Sequence, residues 1–304
     1  MIHLPLLQIP FVAQMEILNH VDIFDLITLS VCSSRTKDLV KHANVRLDHL
    51  DFRFNGSKDL RIYVNTHFRM TCNQETDLKV IWTDTREVSR EVVLFETVSD
   101  SLEELLTGLL MRTFRKIKSI SIYTYNTSIR TLPVWKYTRT IESLSSITAS
   151  EEKLSQDELK FIFQELKINR NLKICPRVFD GFLFSEGFKP KRVCIPDAKW
   201  VMFDAILKSR CQYISLDLIE RPSAAELNNL LKLWMSKQKM KHLRALRLGL
   251  RPGPHEFSAE FLTEALDGIV HERREPEIAE IQRIDGRRAA MQILFDVFCF
   301  KIRS

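Results

Sequence analysis

The feature that most constrains the fold is an alternation, from residue 100 onward, of amphipathic helical segments with short apolar strands. Three helical segments open with the same Ser-x-x-Glu pattern: Ser101 with Glu104, Ser155 with Glu158, and Ser223 with Glu226. In such a capping box the serine side chain binds a free N–H group of the first turn, and the glutamate binds back to the serine N–H. Apolar residues then recur at i, i+3, i+4 and i+7, which places them on one helix face. We therefore expect three helices that each turn one face to a core.

Each of these helices precedes a candidate strand, and the strand centres fall roughly 20 to 30 residues apart. The candidate strands are residues 117–123, 141–147, 172–175, 192–195, 213–218 and 243–250, with a weaker helix around Trp200, Phe203 and Leu207 before the fifth. This spacing is typical of βα units on a mainly parallel sheet, and it permits a leucine-rich-repeat-like solenoid. The chain then ends in a predicted hairpin with an Asp285-Gly286 turn, joining residues 281–284 to 289–293, and a last strand over 295–302.

Residues 46–98 have a different pattern, in which apolar and polar residues alternate. Candidate strands are residues 47–54, 60–64, 78–82 and 92–95, with turns predicted at Asn55-Gly56 and Asn73. Alternation of this kind predicts three to five short antiparallel strands. The fold class that follows is α+β, with helices at the N-terminus, a β-rich part over 46–98, and a large α/β region in which helices and strands alternate.

The first 45 residues are rich in leucine, isoleucine and valine. Residues 11–20 are predicted to form a helix, Asp22 can cap a second helix through Leu29, and Ser33 or Ser34 can cap a third. Three helices of about ten residues cannot bury that much apolar surface by themselves. Some of it is therefore expected to face another protein.

The same stretch resembles an F-box, in particular the F-box of the large nematode family. The resemblance is carried by the run from Leu4 to Pro10, by Glu16-Ile17-Leu18, Asp22 and Leu26, by residues 29–33 and by Leu39-Val40. It implies a three-helix module over 1–45 that docks on a Skp-type adaptor. The residues expected to contact the adaptor are Leu4, Pro5, Leu6, Ile9, Pro10, Ile17, Leu18, Leu26 and Leu29. The alternative is a plain helical cap on the larger domain.

A second resemblance lies in the C-terminal half. Residues 190–200, 225–234, 243–246 and 283–289 are similar to the F-box-associated domain of type 2, with a main block over 185–250. The resemblance implies that residues 46–304 form a domain that selects the protein to be ubiquitinated.

Motifs for catalysis, nucleotides and metals are missing from the sequence. The chain has eight glycines and no phosphate-binding loop, and its six cysteines form no C-x-x-C pair. The eight histidines show no H-x-x-x-H spacing, and no G-x-S-x-G elbow occurs. We expect buried free thiols, no convergence of a nucleophile with a base, no metal, no cofactor and no enzymatic activity.

The net charge of +6 is concentrated in one stretch. Residues 227–254 contain seven basic and no acidic residues, which leaves −1 for the rest of the chain. These residues are Lys232, Lys237, Lys239, Lys241, Arg244, Arg247 and Arg251. They predict a patch for an acidic protein segment or a nucleic-acid backbone, or simply a solvated face. Nucleic acid is disfavoured because no aromatic-interleaved basic arm accompanies the charges.

The combined interpretation is a substrate-recognition subunit of an SCF-type E3 ubiquitin ligase. Its expected partners are a Skp-type adaptor, through it a cullin scaffold, and an unidentified target protein. No apolar run approaches the roughly 20 residues that span a bilayer, so we expect no membrane insertion and a cytoplasmic or nuclear location. Two alternatives remain, namely an adaptor-bound scaffold without ligase output and a basic nucleic-acid-binding protein.

Overall fold

The computed structural model describes residues 6–43, 45–55, 59–65, 68–73, 79–83, 89–93, 102–114, 116–147, 153–178, 181–218, 222–250, 258–275, 277–294 and 297–303. The chain divides into two compact units, Met1–Glu142 and Ser143–Ser304. The N-terminal helices therefore share a unit with the β-rich part. The division between 1–45 and 46–304 as functional modules stays a prediction.

The N-terminal helices form as their capping residues predict. A 3₁₀ turn at Leu6–Gln8 precedes α1 (Phe11–His20), α2 (Ile23–Cys32) and α3 (Ser34–Ala43). The Asp22 carboxylate caps α2 by accepting from the Asp25 N–H at 2.9 Å. Of the two serines considered for α3, Ser33 is the cap, because its hydroxyl accepts from the Thr36 N–H at 3.1 Å.

The first sheet is an antiparallel meander with one parallel neighbour. Its strands are β1 (Arg46–Asn55), β2 (Asp59–Val64), β3 (Phe68–Asn73), β4 (Lys79–Thr83), β5 (Ser89–Val93) and β6 (Lys116–Tyr125), in the spatial order β6-β1-β2-β3-β4-β5. β6 pairs parallel to β1 because α4 (Leu102–Thr113) returns the chain to the same end of the sheet. The prediction of antiparallel strands is confirmed. The predicted turn at Asn73 is wrong, because Asn73 is the last residue of β3 and pairs with β2 and β4.

The core of this unit lies on one face of the sheet. Alternate β1 side chains, Leu50, Phe52 and Phe54, are buried, as are Ile62 on β2 and Ile122 on β6. α4 contributes buried leucines and contacts α2 and α3. The first residue of its predicted capping box, Ser101, lies outside the described residues.

The second unit is a mixed sheet with helices between its strands. Its first elements are β7 (Thr140–Ile147), α5 (Gln156–Lys160) with a π-helical turn at Phe161–Glu165, β8 (Lys167–Ile174), β9 (Arg192–Ile195) and α6 (Phe203–Lys208). β10 (Tyr213–Leu218), α7 (Ala224–Met235), β11 (Ala245–Leu250) and α8 (Ala259–Ala265) follow. The last four strands are β12 (His271–Glu275), β13 (Ile278–Gln282), β14 (Arg288–Leu294) and β15 (Val297–Ile302). The spatial order is β12-β13-β14-β15-β11-β10-β9-β8-β7.

The predicted strands are confirmed, but the sheet is less parallel than expected. β8 to β11 are parallel, whereas β11 pairs antiparallel to β15 and the strands from β12 to β15 pair antiparallel to one another. The parallel pairing described here thus runs from β8 to β11, where α6 connects β9 to β10 and α7 connects β10 to β11. A short connection such as the Asp285-Gly286 turn reverses the chain and cannot make a parallel pair.

Helix faces follow the predicted periodicity. Both described capping boxes, Ser155 with Glu158 and Ser223 with Glu226, are formed. The inward set of α7, Leu227, Leu230, Leu231 and Trp234, is fully buried. Trp200 lies just before α6 and is buried among the aromatic rings of Phe163, Phe182 and Phe184. Among the helices that the structure describes, none has both the length and the apolar character needed to cross a bilayer.

Candidate interaction surfaces

The N-terminal helices enclose a small core. Leu18 of α1, Leu26 of α2, and Leu39 and Val40 of α3 are buried against one another. Partly buried residues pack around them, namely Leu6, Leu7, Met15, Val21, Leu29, Ala43 and Val45. This core fixes which of the remaining apolar side chains face solvent.

The residues predicted to contact an adaptor separate into three groups. Leu18 and Leu26 are 0% and 1% exposed, so we reassign them from the contact surface to the core. Leu6 and Leu29 pack on the edge of that core, and Ile9 is half-buried. Pro10 and Ile17 are exposed, Ile17 by 40%. Leu4 and Pro5 lie outside the described residues.

Two exposed apolar residues at the start of α1 were missed by the sequence reasoning. Phe11 is 54% and Val12 is 79% exposed. Phe11 lies in the first turn of α1, where its ring makes an edge contact with the His42 ring at 5.9 Å between centroids. Pro10 occupies the N-cap position of α1. Proline at a helix start followed by two apolar residues is the signal that could have identified them.

The second unit has one sheet face buried by helices and one face open. On the buried face, Leu172, Val193, Ile214, Leu246 and Phe300 form a continuous row across β8, β9, β10, β11 and β15. On the opposite face, none of the described residues in the two neighbouring rows is buried. These rows are Lys173–Cys194–Ser215–Arg247–Cys299 and Asn171–Arg192–Tyr213–Ala245–Lys301. We call these ten residues the open face.

Charges on the open face are mostly positive. Lys173, Arg192, Arg247 and Lys301 are exposed there. The Arg247 Nη1 donates to Asp217 Oδ1 at 2.7 Å, so one cation is already neutralised. The Arg192 guanidinium lies over the Tyr213 ring, 4.5 Å from its centroid.

A glycine makes room for the Arg247–Asp217 ion pair. A Cβ atom on Gly249 would lie 2.4 Å from Asp217 Oδ1 and 3.6 Å from Arg247 Nη1. Contacts under 3.0 Å force a neighbouring atom to move. The absence of a side chain at this position therefore lets the carboxylate lie against the strand.

Comparison with known families matches two separate parts of the chain. A family model described as F-box domain matches residues 6–48, and one described as F-box associated matches residues 173–248. The first covers α1 to α3, and the second runs from the end of β8 into β11. The chain therefore carries a region that matches the F-box domain and a region that matches the F-box-associated domain.

The relative found among curated proteins is an uncharacterized protein of Caenorhabditis elegans. It is 23% identical to this F-box protein over 289 residues, which cover 84% of the present chain. The chain spans about 63% of the length of that relative. No solved structure matches at a significant level. Together with the two family matches, this relative supports the nematode type that the sequence resemblance indicated.

In this F-box protein the basic residues of 227–254 do not form one uniform patch. Lys232 lies on α7, and Lys237, Lys239 and Lys241 follow its end. Arg244 precedes β11, Arg247 lies on the open face, and Arg251 is outside the described residues. All the described ones are exposed. Lys237 Nζ is 3.3 Å from Asp285 Oδ2, so two of the seven predicted patch residues face carboxylates.

One cluster contradicts the expectation that no nucleophile meets a base. His49 Nδ1 lies 2.5 Å from Ser119 Oγ, and His49 Nε2 lies 2.6 Å from Asp51 Oδ1. The residues are far apart in sequence, and the parallel pairing of β1 with β6 brings His49 opposite Ser119. The Ser119 hydroxyl also donates to the Asp48 carbonyl oxygen at 3.0 Å, so this backbone acceptor competes with His49 for its one proton.

The five described cysteines are free thiols, though not all of them are buried as expected. Among the five described, Cys211 is buried, Cys32 is exposed, and Cys175, Cys194 and Cys299 are intermediate. Desolvation raises the pKa of Cys211 to about 12. Within the part of the chain that the structure describes, no group of three or more His, Cys, Asp or Glu residues could hold a metal ion.

Proposed function

We propose that this F-box protein is the substrate-recognition subunit of an SCF-type E3 ubiquitin ligase. The observation that carries the proposal is a folded F-box over residues 6–48 on a chain that also holds an F-box-associated region. The F-box would dock on a Skp-type adaptor and through it on a cullin. The associated region would hold the target protein, and the protein would act in the cytoplasm or nucleus.

Apolar burial would drive docking on the adaptor. Pro10, Phe11 and Val12 form an exposed apolar strip at the start of α1, and Ile17 adds a second exposed contact. Exposed apolar groups that adjoin one another are characteristic of binding sites, and a few such residues supply most of the binding energy. The buried leucines of the F-box would act indirectly by holding this strip in place.

The chemistry would belong to the partners. Holding a target beside a charged ubiquitin-carrying enzyme raises the local concentration of its lysines and needs no catalytic group on this chain. The nucleic-acid alternative is less well supported, because carboxylates face Lys237 and Arg247 of the basic stretch.

Co-expression with a Skp-type adaptor tests the proposal. We expect wild type and adaptor to co-purify, and Val12→Asp to abolish the complex because a carboxylate would be buried in an apolar interface. The matched control is Val270→Asp, at a valine that is 89% exposed in the second unit. A folded wild-type protein that fails to bind the adaptor would refute the proposal. Ubiquitination of a bound target in the reconstituted ligase then separates a ligase subunit from a scaffold.

A further inference from the structure

The open face carries cations that no described carboxylate neutralises. Lys173, Arg192 and Lys301 are exposed, and none lies in an ion pair among the described residues. Among the described residues, two carboxylates near these rows are already engaged. Asp217 is paired with Arg247. Glu280, in the row of Lys301 two strands further on, is paired with Arg274 and Arg303. The face is therefore positively charged and accessible, while the opposite face of the same strands is filled by helices.

We propose that the open face binds an acidic segment of a target protein in extended conformation, with Lys173, Arg192 and Lys301 as its cationic anchors. The inference rests on the proposed function and adds to it the chemical class of the target. It assigns recognition to a sheet face whose basic residues come from three strands far apart in sequence.

The spacing of the anchors fits an extended chain. Arg192 and Lys301 lie in the same row, separated by β10 and β11. Three interstrand steps span about 14 Å, and two i, i+2 steps of an extended peptide span about the same distance. A segment that crosses the strands with an acidic residue at every second position would thus place carboxylates near both ends of the row. Lys173, one row away on β8, offers a further contact beside Arg192.

Tyr213 provides a contact surface between the cations. It lies beside Arg192 in the row and its ring is half-exposed beneath the guanidinium. Tyrosine and arginine are the residue types that most often dominate binding energy at protein interfaces. A tyrosine held against an arginine loses little side-chain freedom on binding.

A protein segment fits this face better than a nucleic-acid duplex does. Duplex binding is typically built on about six to ten phosphate contacts. The open face has three unpaired cations, and the Asp217 carboxylate lies beside them. An acidic peptide can place its charges between these groups, whereas a continuous phosphate backbone would meet Asp217 as well.

The test uses the full chain bound to its adaptor and measures its binding to labelled peptides by fluorescence anisotropy. The acidic probe is a twelve-residue Glu-Ser repeat, and a Gln-Ser repeat is the neutral probe. We expect wild type to bind only the acidic probe, more weakly as salt increases. Lys173→Glu, Arg192→Glu and Lys301→Glu together should weaken binding by about tenfold or more. The matched control, Lys160→Glu, Lys189→Glu and Arg210→Glu, alters two lysines and one arginine that are exposed elsewhere in the same unit.

Each other outcome overturns the inference. Equal loss in the control shows an effect of net charge, and loss only in Lys232→Glu, Lys239→Glu and Lys241→Glu moves the site to the basic stretch after α7. Tighter binding of random duplex DNA than of the acidic probe, with the same sensitivity to the open-face changes, replaces the protein target with nucleic acid. All variants should still co-purify with the adaptor, so failure here is distinct from failure of the proposed function.

Discussion

Arg283 binds Asp285 through two hydrogen bonds, from Nε to Oδ1 at 2.8 Å and from Nη2 to Oδ2 at 2.7 Å. The Arg283 side chain is almost completely buried, and its guanidinium lies 5.2 Å from the centroid of the Trp234 ring. Its Nη1 also donates to the Lys241 carbonyl at 3.4 Å. The pair therefore links the turn between β13 and β14 to the end of α7, and a buried charge is satisfied on three sides.

Replacement of Asp285 by asparagine should make the stability of the protein change less as the pH is lowered. Hydrogen bonds from Arg283, with further contributions from Lys237 and Arg287, hold the pKa of Asp285 well below its usual range. Such a carboxylate stabilises the fold fully above its unfolded pKa of about 3.9, and the contribution disappears as pH falls through the lowered folded value. We expect Asp285→Asn to melt below wild type at pH 7, with a difference that shrinks below about pH 4. Thermal unfolding followed by circular dichroism measures the melting temperature of the two proteins at each pH.

The control for this change is Asp267→Asn, which removes the same charge from an exposed position. Its melting temperature should stay close to that of wild type across the same pH range. A deficit of Asp285→Asn that is equal at pH 7 and pH 3 would show that the ion pair does not cause it.

Truncation to alanine should lower the stability of the protein at Leu18 and should weaken adaptor binding at Val12. Leu18→Ala leaves a cavity in the F-box core and should destabilise the protein by about 2–5 kcal/mol. Val12→Ala removes exposed atoms and should change stability by less than about 0.5 kcal/mol, yet weaken adaptor binding. Urea unfolding and adaptor co-purification give the two readouts. If Val12→Ala unfolds as readily as Leu18→Ala, the division into core and contact residues is wrong.

The thiols of Cys32 and Cys211 should differ in reactivity. Burial raises the pKa of Cys211 to about 12, so the reactive thiolate is scarce at pH 8. Cys32 is the last residue of α2 and is exposed. Ellman's reagent followed by peptide mapping should find Cys32 modified in the native protein and Cys211 modified only after denaturation. Cys32→Ser should remove the corresponding fast phase, and native labelling of Cys211 would contradict the prediction.

Alanine substitution at two glycines allows the cost of backbone strain to be compared with the added cost of a steric clash. Gly187 and Gly181 both adopt positive φ, 88° and 92°. A Cβ on Gly187 would lie 2.7 Å from the Lys208 backbone carbon, whereas nothing lies within 4 Å of one on Gly181. Gly181→Ala should cost about 1–2 kcal/mol from conformation alone. Gly187→Ala should cost about 1–3 kcal/mol more, because the Lys208 backbone must move. Equal losses in chemical denaturation would mean that the clash is relieved freely.

Local features of the fold could be predicted from the sequence, because each depends on a few neighbouring residues. The Asp22 cap, the capping boxes at Ser155 and Ser223, and the buried stripe of α7 each depend on side chains within about two helical turns. Strand alternation likewise predicted β10 with its bounds. β3 and β12 were missed because they are recognised through pairing with neighbouring strands, and β12 is exposed along its whole length.

The interaction surfaces were harder to predict from the sequence. The F-box motif identified the three-helix region, but it did not distinguish the core leucines Leu18 and Leu26 from the exposed Phe11 and Val12. That distinction depends on how three helices pack. The basic stretch was found as a run of sequence, whereas the open face joins Lys173, Arg192 and Lys301 through strand register.

The family motifs, most helices and most strands could be predicted from the sequence alone, because motifs and periodicities are local, although α8 was not predicted. Only the tertiary structure decided that Arg247 is neutralised by Asp217, that Arg283 is buried against Asp285, and that three distant cations share one face. The physical reason is that charge and burial depend on neighbours in space. A one-residue change in register would move those of these side chains that lie on strands to the other face of the sheet.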